Sequence, residues 1–321
     1  MHPSPGREPE VKNVKVYVPA YYNSFGCIAD KCRHSCCIGW EISVDGESMK
    51  KYTAHSTEYP FLESIEYNGE YNCFRLGEGE RCPHLDERGL CRIITRMGES
   101  YLCDICREHP RFYSRIGDRI EAGLGLVCEA AAELILTSDT LFGISVSDDE
   151  RAEESVPDTA YDSTVILSAR AGIAEIISNK ERSLEDKLHL VCKEFSIPED
   201  IHTDSEWLEI FRDLEVLDLG WLELLGRAVP DSTILPGAEL CLERLFDYLI
   251  YRHLSRSESY DNMRARIGFS ILGVRIVNAI LAGIGKTDLN TVIDVARAYS
   301  EEIEYSEDNT SELIFEFESA M

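Results

Sequence analysis

Ten of the chain's twelve cysteines fall between Cys27 and Cys128, and the first four stand within eleven residues. Residues 25–40 read F-G-C-I-A-D-K-C-R-H-S-C-C-I-G-W. Adjacent Cys36 and Cys37, with Cys32 four residues before Cys36, do not follow the pattern of core cysteines, which serve singly as small hydrophobes. Thiolates this dense bind a soft metal ion or an iron–sulfur cluster. The chemistry of the chain is therefore expected to start in this region.

The thiols form groups: Cys27, Cys32, Cys36 and Cys37, then Cys82 and Cys91, then Cys103 and Cys106, then Cys128. Cys73 stands alone on an expected strand, and Cys192 and Cys241 stand on helices among apolar residues, where burial is the simpler reading. Disulfides are disfavoured. The opening M-H-P-S-P-G-R-E-P-E has neither a basic stretch nor an apolar one and is not a secretory signal. A cytoplasmic protein with reduced thiols is expected. Tetrahedral zinc and iron–sulfur need the same soft ligands, and spacing does not separate them. His34, His84 and His109 lie beside cysteines and could complete a mixed site, although for each a surface or supporting role is the simpler reading.

Charge divides the chain. Of the net −27, residues 1–128 carry −3, from 16 Lys and Arg against 19 Asp and Glu. Residues 129–321 carry −24, from 16 against 40. The acidic half argues against nucleic acid, whose phosphates it would repel, and suits a basic, lysine-bearing protein. Residues 267–285 are the most apolar stretch, but Arg275 and Asn278 make them a buried helix, not a membrane span.

The fold class expected is mainly α. Residues 1–13 read as a disordered tail, and residues 14–143 as an irregular, Cys-rich metal-binding domain with a few short strands. Residues 144–159 read as an acidic linker, and residues 160–321 as an acidic all-helical domain. Extended segments are expected at 14–22, 40–44 and 72–76, helical turns at 48–52, and a helix at 122–136. Further helices are expected at 164–177, 184–195, 205–217, 220–228, 237–253, 259–282, 287–299 and 310–318. Two absences narrow the chemistry. Cys32-x3-Cys36 begins the C-x3-C-x2-C pattern of radical enzymes, but Gly39 stands where the third cysteine belongs. Neither G-L-G-L at 123–126 nor A-G-I-G-K at 282–286 completes a nucleotide-binding loop, so a Rossmann-type methyltransferase is not signalled.

The order of the motifs resembles a known family. Pro19-x-Tyr21-x3-Phe25-x-Cys27, then Cys32-x3-Cys36-Cys37-x-Gly39-Trp40, is similar to the opening of the flagellin lysine N-methylases, within the wider CxxCxxCC-type zinc- or iron-chelating domains. The similarity continues through Cys82-Pro83-x-Leu85, Leu90-Cys91-x-Ile93, Gly98-Glu99-x-x-Leu102, Cys106-x3-Pro110-Arg111 and Cys128-Glu129. It covers roughly residues 14–136. Cys103 is extra to the pattern, no proline separates Cys128 from Glu129, and His109 replaces an aromatic residue. The resemblance implies methyl transfer from S-adenosylmethionine to lysines of flagellin, dependent on a 4Fe-4S cluster. The ligand candidates it implies are Cys27, Cys32, Cys36, Cys37, Cys82, Cys91, Cys106 and Cys128. Eight thiols exceed the four ligands of one cluster, which leaves the others to support it or to form a second site.

Methylating lysine requires a neutral amine in line with the sulfonium methyl, and a base to take its proton. Tyr17, Tyr21, Tyr22 and Trp40 flank the first cysteines and could bind the ammonium or cover a cluster from water. Glu99, Glu108 and Glu129 are candidate bases. Arg111 could grip the cofactor's carboxylate or form a structural ion pair. Arg111, Trp40 and Tyr21 are the candidate cofactor-binding residues. Three-thiolate ligation would leave one iron open to the cofactor, and four would close it. Two other readings remain at this point: a non-catalytic zinc- or iron-chelating module, and an iron–sulfur redox protein.

Overall fold

The computed structural model of the protein describes residues 15–147, 156 and 161–321. The expected tail and most of the expected linker lie outside the described residues. The fold is mainly α with few short strands, as the sequence suggests.

Strand β1 (Val16–Pro19) opens the described chain. Helix α1 (Gly46–Ala54) follows, its first turn capped by Asp45, whose side chain accepts from the Ser48 amide. Short strands β2 (Ile65–Tyr67) and β3 (Asn72–Phe74) pair antiparallel. Helices α2 (Arg92–Met97) and α3 (Asp104–Glu108) are brief. Strands β4 (Arg111–Ile116) and β5 (Arg119–Leu124) form a hairpin whose two-residue turn begins at Gly117, with φ +62°. Helix α4 (Glu129–Thr137) and strand β6 (Ile144–Ser147) come next.

Eight helices complete the molecule: α5 (Ser163–Ile177), α6 (Leu184–Glu194), α7 (Asp204–Asp213), α8 (Leu219–Leu225), α9 (Glu239–Leu254), α10 (Tyr260–Ile284), α11 (Leu289–Tyr299) and α12 (Glu307–Ser319). Their starts are set by side-chain caps at Asp162, Ser183, Thr203, Asp218, Ser259, Asp288 and Ser306, with α9 the exception. Helix α10 is long and apolar enough to cross a membrane, but 78% of its most apolar window is buried in the molecule. It is a core helix, as Arg275 and Asn278 suggest.

Three expectations change. Residues 122–136 do not form one helix. Their first part is β5, which pairs parallel to β1 (Val16 opposite Ile120) and antiparallel to β4, and the helix begins only after Cys128. The alternation of Ile120, Ala122 and Leu124, all buried, is a strand period that the glycines obscured. Residues 40–44 contribute a single bridge, Ser43 to Cys73, instead of a strand. Helix α7 ends at Asp213, short of the expected 217, and starts from Thr203 through a capping box with Glu206.

The four-stranded sheet has the order β4-β5-β1-β6, so β6 occupies the first residues of the expected linker. Helix α9 lies against this sheet, with the Tyr251 hydroxyl 3.0 Å from the carbonyl oxygens of Tyr17 and Ala122. Fully buried Glu121 of β5 binds both Arg119 (2.9 Å) and Arg170 of α5 (2.6 Å). Sheet and helices share one large hydrophobic core that runs from Val16 to Phe317. A second, smaller core of ten buried residues gathers around Tyr52, Phe61 and Phe74. Its residues all lie between β1 and β4, so the thiol-rich segment is an insertion between two strands of the same sheet.

Candidate metal centre

The twelve cysteines are all free thiols. Cys73 is buried on β3 and Cys192 on α6, as small core residues; Cys241 of α9 is half-buried. The other nine divide between the two cores. Cys37, Cys82, Cys91, Cys103 and Cys106 belong to the small core. Cys128 packs against the large one, and Cys27, Cys32 and Cys36 lie on the loop that faces it.

The backbone explains the first grouping. The Cys82 amide donates to the Cys37 carbonyl at 2.8 Å, beside the bridge from Ile38 to Arg81. A second bridge sets Leu85 opposite Cys91, and the Arg92 amide donates to the His84 carbonyl at 2.7 Å. Cys91 and Cys103 stand at the N-caps of α2 and α3, and Cys106 lies one turn into α3. Burial, with smaller contributions from Cys37, Cys91 and Cys103, pushes the Cys82 thiol up to about 12. Cys106 is pushed up first by its hydrogen bond with Cys103, then by burial and by Cys103, Cys37 and Cys82.

The second grouping joins three parts of the chain. Burial, with smaller contributions from Glu129 and Cys128, raises Cys32 to about 11. Cys36 is raised by its hydrogen bond with Cys37, by burial, and then by Cys37, Cys128 and Cys27. Glu129, the first residue of α4, holds the loop in place. It accepts from the Arg33 amide (2.8 Å), the His34 amide (3.2 Å) and the Arg33 guanidinium (2.8 Å). Its carboxyl is raised by burial, but the Arg33 bonds outweigh this and hold it below the usual range. Arg33 and His34 also reach Asp294 on α11, at 2.9 and 3.3 Å.

The segment leading into Cys128 is fixed from behind. Gly125 has no room for a Cβ, which would lie 2.3 Å from the Tyr305 hydroxyl. The Leu126 amide donates to the Tyr248 hydroxyl at 3.1 Å, and that hydroxyl donates to fully buried Glu304, also at 3.1 Å. Arg252 and His253 of α9 pair with the same carboxylate at 3.2 and 2.8 Å. A short π-helical turn, Ser300–Glu304, presents it.

Beside this loop a cavity of about 330 Å³ is walled by His34 and, from the helical body, by Trp221, Asp218, Asp294, Glu301 and Glu302. It joins thiol loop and acidic helices in one cleft.

The sequence candidates fare unevenly. Trp40 is half-buried, donates its indole N–H to the Cys36 carbonyl, and stands edge-on to His109 at 5.3 Å. Arg111 lies over the faces of Tyr22 (5.8 Å) and Phe25 (5.3 Å), and its Nε has no hydrogen-bond partner among the described residues. Tyr21 packs against the large core near Asp247, Tyr248 and Tyr251. His84 is no ligand: its two ring nitrogens meet the Tyr59 and Ser64 hydroxyls at 2.8 and 2.9 Å, and burial lowers it to about 4. Glu108 meets Arg107 and the Tyr113 hydroxyl, and Glu99 is exposed. The clamp of Arg33, Glu129 and Asp294 was invisible in the sequence, where its members lie up to 261 residues apart.

Among the described residues no three Cys, His, Asp or Glu side chains already stand as a finished metal site. The expectation that the thiols converge on one common point is thus not met. What fits a soft metal is the donor chemistry and its concentration in two neighbourhoods.

The chain is similar over 143 residues to the lysine-N-methylases of Salmonella typhimurium and Salmonella choleraesuis, 27% identical to each, across 42% of this chain and 36% of theirs. Over 134 residues it is 28% identical to the flagellar biosynthetic protein FliU of Salmonella muenchen, across 39% of this chain and 79% of that one. These distant, partial relatives support a link to flagellin lysine methylases. The chain spans little more than a third of the length of the lysine-N-methylases it matches. No family model matches the chain, and no solved structure is similar to it.

Proposed function

We propose that the chain is a protein-lysine N-methyltransferase that acts on a basic surface protein, with flagellin as the first substrate to test. The observation that carries this reading is the similarity to lysine-N-methylases. The thiol loop, facing an acidic cleft across the helical body, supports it.

Cys27, Cys32, Cys36 and Cys128 would hold a 4Fe-4S cluster, one thiolate to each iron. S-adenosylmethionine would supply an electrophilic methyl on sulfur. The protein's part is to present the acceptor. Asp294 and Glu301 line the cleft with their ion-pair partners Arg33 and Arg297, and Trp221 gives a lysine stem an apolar wall. The amine must then lose a proton. His34, oriented by Asp294, is the acceptor we assign, since Glu129 is already committed to Arg33. Arg111 keeps a donor free for a carboxylate.

The test is anaerobic purification with iron and sulfide analysis, followed by incubation with methyl-labelled S-adenosylmethionine and flagellin. Label on flagellin lysines is expected. A cluster-loaded protein that leaves flagellin and other lysine-rich surface proteins unlabelled would overturn the reading.

A further inference from the structure

The five thiols of the small core have no part in that chemistry. We propose that Cys37, Cys82, Cys91, Cys103 and Cys106 supply four ligands to a second, closed centre of the zinc type, separate from the group of Cys27, Cys32, Cys36 and Cys128.

Four observations carry this. All five thiols pack into one small core, while Cys128 packs against the large one and Cys27, Cys32 and Cys36 lie outside the small core. Backbone hydrogen bonding puts Cys37 beside Cys82, and a bridge closes the tight turn from Cys82 to Cys91. Cys103 and Cys106 make a C-x-x-C turn opening a helix, a usual way to present two thiolates to one ion. Finally, the small core has ten buried residues, surrounded by loops and short helices. A core this small gains its stability from a metal or a disulfide, and these thiols are free.

Zinc suits the set better than an iron–sulfur cluster. Cys82 and Cys103 are buried, so the site has no open face for a substrate, and four thiolates complete a tetrahedral ion. Binding releases the thiol protons to solvent and involves no electron transfer. Side-chain rotation has to close the site, because no three donors yet share a point. The Cys36–Cys37 pair marks the division, Cys37 packing against the small core and Cys36 lying outside it.

The experiment uses the full chain, purified anaerobically, with zinc and iron counted separately. A parallel sample is grown with cobalt, whose visible spectrum reports tetrahedral thiolate ligation. One zinc per chain is expected in the unaltered protein and in Cys32→Ser, which loses iron. Cys82→Ser and Cys91→Ser should lose zinc and keep the iron chromophore. Of Cys37→Ser and Cys103→Ser, one and only one should lose zinc, which identifies the fifth thiol. Far-UV circular dichroism and hydrogen exchange of the helical body check that the variants fold. Zinc and iron lost together in every variant would overturn the proposal, as would a cobalt sample without a tetrahedral thiolate spectrum. None of these readouts depends on methyl transfer, so the two readings fail separately.

Discussion

Helix α10 buries 17 of its 25 residues, whereas α2, inside the insertion, buries only Ile93 of its six. The helical body holds itself together by apolar burial, at about 25 cal/mol per Å² of apolar surface removed from water. The insertion has two three-residue strands and loops closed by bridges. On the proposal of a second centre, its order comes from its thiols as much as from its core. The chain would then use two ways of making a fixed structure, and they should respond differently to the same perturbations.

The largest difference should come from metal removal. Stripping the protein with a strong chelator under reducing conditions should abolish hydrogen-exchange protection across residues 42–106 and leave α9 and α10 protected. Uniform loss, or none, would erase the distinction between the regions. Next, Phe246→Ala in the large core should cost about 3–5 kcal/mol of global stability in denaturant unfolding. Phe61→Ala, equally buried in the small core, should instead raise exchange only within the insertion.

A smaller effect tests the clamp between the regions. Glu129→Gln removes the charge that grips two amides and Arg33, and should cost about 1–3 kcal/mol. The folded carboxyl lies below its ordinary 4.5, so this stabilisation is complete above pH 4.5 and disappears as pH falls below it. The unaltered protein should therefore lose stability over that acid range more steeply than the variant, as read by thermal melts. A parallel pH dependence would show that the clamp holds nothing. The smallest effect belongs to Asp294→Asn. Its pair with Arg33 is some 40% exposed on both sides, so under 1 kcal/mol is expected, falling with added salt.

The helical body was largely legible in the sequence, because the spacing of its apolar residues acts locally. The sheet was not. Pairing of Val16 with Ile120 is decided by contacts across more than a hundred residues, and Gly123 and Gly125 disguised a buried strand. Gly123 makes room for the ring of Phe112 on β4, a reason visible only once the strands lie together. At the candidate site, cysteine density singled out the region but not the division of its thiols, because sequence proximity of Cys36 and Cys37 hides their different surroundings. The role of Glu129 was missed for a similar reason: its partners come from the loop, not from its own helix.

The parallel pairing of β1 with β5 has a consequence for synthesis. The first strand leaves the ribosome roughly 100 residues before its partner, an interval of about 5–20 s at ordinary elongation rates. Throughout that time the nascent chain exposes reduced thiols while the sheet is still incomplete. On the proposed centres, metal capture by the emerging segment would have a head start over docking against the helices, and the order of maturation would follow from where one short strand was placed.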